Sequence, residues 1–226
     1  MNTDRKWVVV RIDGKIAAIS TDYRLLAEIS ARIAGEGQSK KGKGSAAVQY
    51  ERITAESVAF GDVWEMRRSI GWDDLMLFGT DFQKRVWKKL WELTHTDGMG
   101  NARALNAQKG GMEKDSANVR TEDDGKPRLI CYSDFAGLCE NRAGVRAVAH
   151  AIGLNPVSVI IPCHLVIPKE SIDRIRETRR KAETTIFKGD DLCIESVVMD
   201  PAIDFGNYAL GRELKRSLIR LELFGN

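Results

Sequence analysis

Alternation of apolar and polar positions sets out the first element within twenty residues. Trp7-Val8-Val9-Val10-Arg11-Ile12 and Lys15-Ile16-Ala17-Ala18-Ile19 are strand-like runs flanking Asp13-Gly14, a pair that favours the two-residue turn of a β-hairpin. Asp22 is placed to cap a helix in which Leu25, Leu26, Ile29 and Ile33 recur at helical spacing. The Gly-, Lys- and Ser-rich stretch 35–45 reads as a solvated loop, with Lys40, Lys41 and Lys43 as its cations. Ala46 to Ile53 is a further candidate strand, whereas Ser57 to Ile70 mixes apolar and charged residues without a clean period. This pattern predicts a small N-terminal α/β domain over residues 1–77.

At Thr80 the pattern sharpens. Thr80-Asp81-Phe82-Gln83 is a capping box, and Phe82, Val86, Leu90 and Leu93 then mark one face of a helix. A second, mainly helical domain is expected over 78–226, with hydrophilic insertions near 94–126 and 169–204. The first is too long for an ordinary connection and is expected to be exposed. Between Leu129 and Asn155 the spacing predicts two short helices, Asp134 to Cys139 and Ala143 to Ile152, joined at Glu140-Asn141-Arg142. That is helix-turn-helix spacing. The second of these helices is lined by Ala143, Gly144, Ala147, Ala149 and Ala151 around a single long polar side chain, Arg146. Either it approaches another surface closely or it packs inside the protein with Arg146 in water. A C-terminal helix is expected to bury a stripe of Leu210, Leu214, Leu218 and Leu221.

Composition narrows the class. The 226 residues are 43% hydrophobic and 30% charged, with a net charge of +3, which describes a globular chain with a core of its own. So small a basic excess permits nucleic-acid binding without requiring it, so any cationic surface must be local. No run has the length of a membrane span, and the cysteines Cys131, Cys139, Cys163 and Cys193 form no CxxC pair. A reducing cytoplasm is expected. With three histidines and no Cys or His before His95, no metal is expected.

One stretch carries chemistry: Asn155-Pro156-Val157-Ser158-Val159-Ile160-Ile161-Pro162-Cys163-His164. Two prolines stiffen an apolar run that ends in a thiol with an imidazole beside it. Adjacent residues on a strand point to opposite faces, so a Cys163–His164 partnership would need a turn or a bridging water. A buried, unreactive cysteine beside a satisfied histidine is the alternative.

Taken together these segments resemble the O6-alkylguanine-DNA alkyltransferases, also called methylated-DNA–protein-cysteine methyltransferases. Gly79-Thr80-Asp81-Phe82-Gln83-Lys84-Arg85-Val86-Trp87 is similar to the family's opening GTxFQxxVW, and Tyr132 with Phe135-Ala136 to its SYxxLA. Arg146-Ala147-Val148, Asn155-Pro156 and Ile160-Ile161-Pro162-Cys163-His164 are similar to its recognition helix, hinge and active site. Gly206-Asn207-Tyr208, Gly211, Lys215 and Leu221-Glu222 follow its C-terminal pattern. Leu165 stands where the family usually has arginine, Leu210-Gly211 replaces a glycine pair, and Ala209 lies where some members place a hydroxyl.

The resemblance implies a winged helix-turn-helix-like domain that extrudes an alkylated nucleotide from double-stranded DNA, as a monomer and without cofactor. Cys163 would accept the alkyl group, with His164 as base through a water, Glu222 stabilising the imidazolium, and Tyr208 donating to the departing guanine. Asn155 would brace the hinge. Tyr132 would press the rotating phosphate, Arg146 would fill the vacated stack, and Ala147 would permit close approach. Ile152, Val166 and Ala209 would line the pocket for the alkylated base. A sensor of alkylated DNA that accepts no alkyl group, a Cys-His hydrolase and a plain helix-turn-helix regulator are the competing readings.

Overall fold

The computed structural model describes residues 6–21, 52–95, 129–184, 195–196 and 198–224. The helix expected after Asp22, the lysine-bearing loop 35–45, most of the candidate strand from Ala46, the hydrophilic stretch from residue 96 to Lys126, and Cys193 lie outside the described residues. The chain divides into two compact units, Met1–Trp91 with Leu154–Pro162, and Glu92–Gly153 with Cys163–Asn226. Residues 78–91, which the sequence pattern assigns to the second domain, therefore cluster with the N-terminal unit.

The first unit is built on the predicted hairpin. Strands β1 (Trp7–Ile12) and β2 (Lys15–Ser20) pair antiparallel through a two-residue turn in which Asp13 and Gly14 both take positive φ, 49° and 84°. Positive φ at both turn residues matches the strands' right-handed twist, which is why Asp-Gly serves here. Strand β3 (Ile53–Val58) completes a sheet of order β2-β1-β3. It begins where the candidate strand was expected to end, and all of it but Val58 is exposed, so no burial pattern marked it in the sequence. Helix α1 (Phe60–Ser69) occupies the stretch without a clean period, and the Asp62 carboxylate accepts from the Ala59 amide over 3.0 Å at its start. Helix α2 (Asp81–His95) starts at the expected capping box: Thr80 N donates to Gln83 Oε1 over 2.9 Å and Gln83 N to Thr80 Oγ1 over 3.2 Å.

Residues 154–162 do not form the regular strand that their apolar run implied. They make single bridges, Ile19 with Val157 and Ser158 with Ile161, and Val159 turns the chain at φ 75°. The run is apolar because Val157, Val159, Ile160 and Ile161 are all fully buried, and burial alone does not choose between a strand and a packed turn.

In the second unit, β4 (Ile130–Cys131) pairs in parallel with β5 (Val166–Ile167). Helices α3 (Tyr132–Leu138) and α4 (Val145–Gly153) follow β4 with a 3₁₀ turn, Arg142–Gly144, between them. The junction is closed by Asn141 N donating to the Ala136 carbonyl and Glu140 N to Gly137, with Glu140 at φ 56°. This is the Schellman hydrogen-bond pair with glutamate in the left-handed position that glycine usually takes. Helix α5 (Lys169–Thr184) occupies the first part of the insertion that was expected beyond the active-site strand. It is not an appendage, because Ile172 and Ile175 share one core with Ile203, Phe205 and Ile219. Helix α6 (Arg212–Phe224) ends the described chain. Of the expected leucine stripe, Leu210 and Leu218 are buried but Leu214 and Leu221 are half-exposed, and the buried face also takes in Lys215, Arg216, Ile219, Glu222 and Leu223. Among the described residues no helix is long and apolar enough to cross a membrane.

Candidate active site

Cys163 opens a 3₁₀ turn, Cys163–Leu165, that runs directly into β5. A turn of three residues swings successive side chains through about a third of a circle, so Cys163 and His164 are not held on opposite faces as they would be on a strand. Cys163 is 6% exposed and His164 wholly buried. The His164 Nε2 lies 2.7 Å from Oε1 of Glu222, which is buried on α6. A carboxylate has only acceptor oxygens, so Nε2–H donates and Nδ1 carries the lone pair of the neutral ring. Proton transfer to that ring would create an imidazolium against the carboxylate, which is the base-and-orienter pair of covalent catalysis.

Two helical turns along the same face of α6, seven residues before Glu222, stands Lys215, 1% exposed. Its Nζ donates to the Val166 carbonyl over 2.8 Å and lies 5.8 Å from the centre of the Tyr132 ring. Burial pushes this ammonium down from 10.5 to about 8, while the charges of Cys163 and Asp204 act in the opposite direction. The attraction is mutual, so an ammonium at Lys215 favours a thiolate at Cys163. Tyr132 is raised above the ordinary phenol value, first by burial and then by the charges of Cys163 and Asp204. A side chain expected at the DNA surface therefore also faces the thiol. Gly206 lies beside it at φ 80°, a conformation that strains any residue with a Cβ, and a Cβ there would also sit 3.3 Å from the Tyr132 hydroxyl.

The other expected site residues are placed as follows. Tyr208 is half-buried just ahead of α6, its carbonyl accepting from Gly211 N over 3.0 Å. Within the first unit Asn155 is 2% exposed, donates from Nδ2 to the Ile161 carbonyl over 2.9 Å and accepts from Val157 N over 3.0 Å. It thereby closes the apolar turn that precedes Pro162. On α4, Arg146 and Ala147 are exposed, while Val148, Ala151 and Ile152 supply the buried side. Val166 is buried and Ala209 exposed. Sequence reasoning gave Lys215 no role and passed over Arg216. Periodicity offered no signal for either, since both cations stand in a helix that also carries Arg212, Glu213, Arg220 and Glu222.

Residues 126–184 match the family model for the 6-O-methylguanine DNA methyltransferase DNA binding domain. By sequence, this part of the chain is related to the O6-alkylguanine-DNA alkyltransferases. A probable methylated-DNA–protein-cysteine methyltransferase of Acanthamoeba polyphaga mimivirus is 34% identical over 98 residues, 43% of this chain and 45% of that protein. The methylated-DNA–protein-cysteine methyltransferase of Haemophilus influenzae is 28% identical over 92 residues, 41% of this chain and 34% of that one. The matched region thus spans less than half the length of either relative. Among solved structures, the O6-methylguanine-DNA methyltransferase of Pyrococcus kodakaraensis is 18% identical at a TM-score of 0.43, covering 97% of this chain and 93% of that one.

Proposed function

We propose that the protein repairs DNA by moving the alkyl group of O6-alkylguanine onto Cys163. The observation that carries this is the buried Cys163–His164 turn with Glu222 at 2.7 Å and Lys215 on the same helix face. In the reaction the sulfur forms a bond to the alkyl carbon as the carbon–O6 bond breaks. The electron pair stays with guanine, and the thiol proton passes to His164 through a water. Tyr208 donates to the departing base. A thioether has no leaving route, so each molecule acts once, as a cytoplasmic monomer with no cofactor. Incubation with duplex containing O6-methylguanine should add one methyl to the Cys163 peptide in mass spectrometry; an unmodified peptide would refute the reaction.

The α3–α4 pair would act as a winged helix-turn-helix element. The target atom is stacked inside a duplex, so the nucleotide has to be extruded at a cost of about a few kcal/mol. Exposed Arg146 would fill the gap, Ala147 would allow close approach, Tyr132 would meet the rotating phosphate, and Ile152, Val166 and Ala209 would line the pocket. Arg146→Ala is expected to slow repair of duplex by roughly tenfold or more while sparing reaction with free O6-benzylguanine, because only the former requires flipping. Equal losses on both substrates would reassign Arg146 to the fold.

The cations of α5 are not expected to contribute. Arg176 lies 3.6 Å from Asp173, Lys181 2.8 Å from Glu177 and Arg174 3.7 Å from Asp200, so they are already paired. Replacing Arg174 and Arg176 with Gln should leave the slope of log affinity against log salt unchanged, whereas each lost phosphate contact would reduce it by about 0.9.

A further inference from the structure

Helix α6 has two buried faces. One carries Lys215, Leu218 and Glu222; the other, turned by about 100°, carries Arg216, Ile219 and Leu223, with half-exposed Arg220 at its edge. Against the second lies the segment from Val198 to Phe205, absent from the alkyltransferase pattern that the C-terminal motifs follow. The Arg216 guanidinium gathers that segment around itself. Its Nη1 donates to the carbonyls of Val198 and Asp200, both at 2.6 Å, and Nη2 to that of Ile203 at 2.8 Å. The same guanidinium stacks over Phe205 at 5.0 Å, and one turn on Arg220 Nε pairs with Glu195 at 2.6 Å. Arg216 itself is 9% exposed. A surface arginine would have spent none of its hydration this way; here three backbone acceptors replace water, and the charge is rigidly held.

We infer that Arg216 is a positioning residue for Cys163: by tying the 198–205 segment to the back of α6, it fixes the rotation of the helix that presents Lys215 and Glu222 to the Cys163–His164 turn. The axis of the helix is free to roll only if one of its two buried faces lets go. The active face is held by Lys215 on Val166 and Glu222 on His164. On the other, Arg216 alone makes three hydrogen bonds. The segment also delivers Asp204, whose carbonyl accepts from Ser171 Oγ at 2.6 Å and whose charge reaches both Lys215 and Tyr132. The thiol's charge is felt by Lys215 from α6 and Tyr132 from α3; Asp204 from this segment acts on both of these, and Glu222 holds His164 beside the thiol in the chain.

The inference rests on the alkyl-acceptor reading only for the use made of the thiol, so its test avoids alkylated DNA. Iodoacetamide labelling of the Cys163 peptide, followed by mass spectrometry across pH in the full chain, measures thiolate formation directly. Arg216→Gln is expected to lower the neutral-pH rate by roughly ten- to a hundredfold, the scale of a misplacement of about 1 Å in a reacting constellation, and to move the pH midpoint upward. Arg216→Lys, which keeps the charge but not the fork, should fall between Gln and wild type. Ile172→Ala, in the same core but on α5, should lower Tm while leaving the midpoint in place. A wild-type midpoint in Arg216→Gln, or an equal displacement in Ile172→Ala, would overturn the role. If Arg216→Gln does not fold, an unshifted midpoint in Arg216→Lys overturns it and an upward one upholds it.

Discussion

A Cys163→Ala variant is expected to bind duplex DNA and transfer no alkyl group. Affinity would come from the exposed side of α4 and its phosphate contacts, none of which involves the thiol, whereas the new bond is made to sulfur alone. Removing the nucleophile from a nucleophile–base unit costs on the order of 10⁶-fold, so transfer should fall to background. The remaining cysteines do not substitute. Cys131 is 1% exposed with its sulfur 3.1 Å from Ser133 Oγ, and Cys139 follows α3 with Leu138 and Glu140 beside it in sequence and no histidine to take its proton. Losing one sulfur from a 6% exposed site should destabilise the fold by about 1 kcal/mol, a typical single-substitution effect, so binding survives. The check is a gel-shift titration beside a transfer assay on the same preparation. Retained transfer would remove Cys163 from the mechanism.

Lys215→Met is expected to separate reactivity from stability. Burial holds the folded-state Lys215 at about 8 against 10.5 for an exposed lysine, which at about 1.36 kcal/mol per pKa unit amounts to about 3 kcal/mol. The folded value is the lower one, so between about pH 8 and 10.5 the unfolded chain holds the proton that the folded chain has released. Stability therefore rises with pH through that window, and the burial cost is fully present below it. Methionine has no proton to hold. Relative to the variant, wild type should gain about 3 kcal/mol between neutral pH and pH 10.5 in denaturant titrations. At neutral pH the variant sheds the burial cost but strands the Val166 carbonyl, worth about 1–3 kcal/mol, so its stability should match or slightly exceed wild type. Its thiol should nevertheless react more slowly, by roughly ten- to a hundredfold, because a neighbouring cation that favours thiolate is gone. A variant that loses stability yet keeps its thiol reactivity would make Lys215 a packing residue.

What could be read from the sequence is local. Asp13-Gly14 specified its hairpin because both residues tolerate positive φ, and Thr80 with Gln83 specified the start of α2 because the two side chains satisfy amides three residues away. The helix pair around Glu140 was legible within a residue or two, although the glutamate at positive φ was not, since that place usually belongs to glycine. Strand β3 escaped because its side chains are exposed and its partner is β1, more than forty residues earlier.

The chemistry divides in the same way. Cys163 and His164 are neighbours in the chain, so their presence as a pair was visible at once, and the resemblance placed Glu222 with them. That the imidazole meets the carboxylate at 2.7 Å across 58 residues is a tertiary fact. So is the burial of Lys215 and Arg216. By periodicity the leucines of α6 should face the core and its cations should face water, and the expected stripe of Leu214 and Leu221 follows that rule. The fold departs from it at Lys215 and Arg216, because backbone carbonyls of Val166, Val198, Asp200 and Ile203 replace the water that these two cations would otherwise require. The sequence by itself determined the local turns, the helix start and the nucleophile. Only the tertiary structure decided which charged side chains could be buried beside it, because the acceptors that make burial possible come from distant segments of the chain.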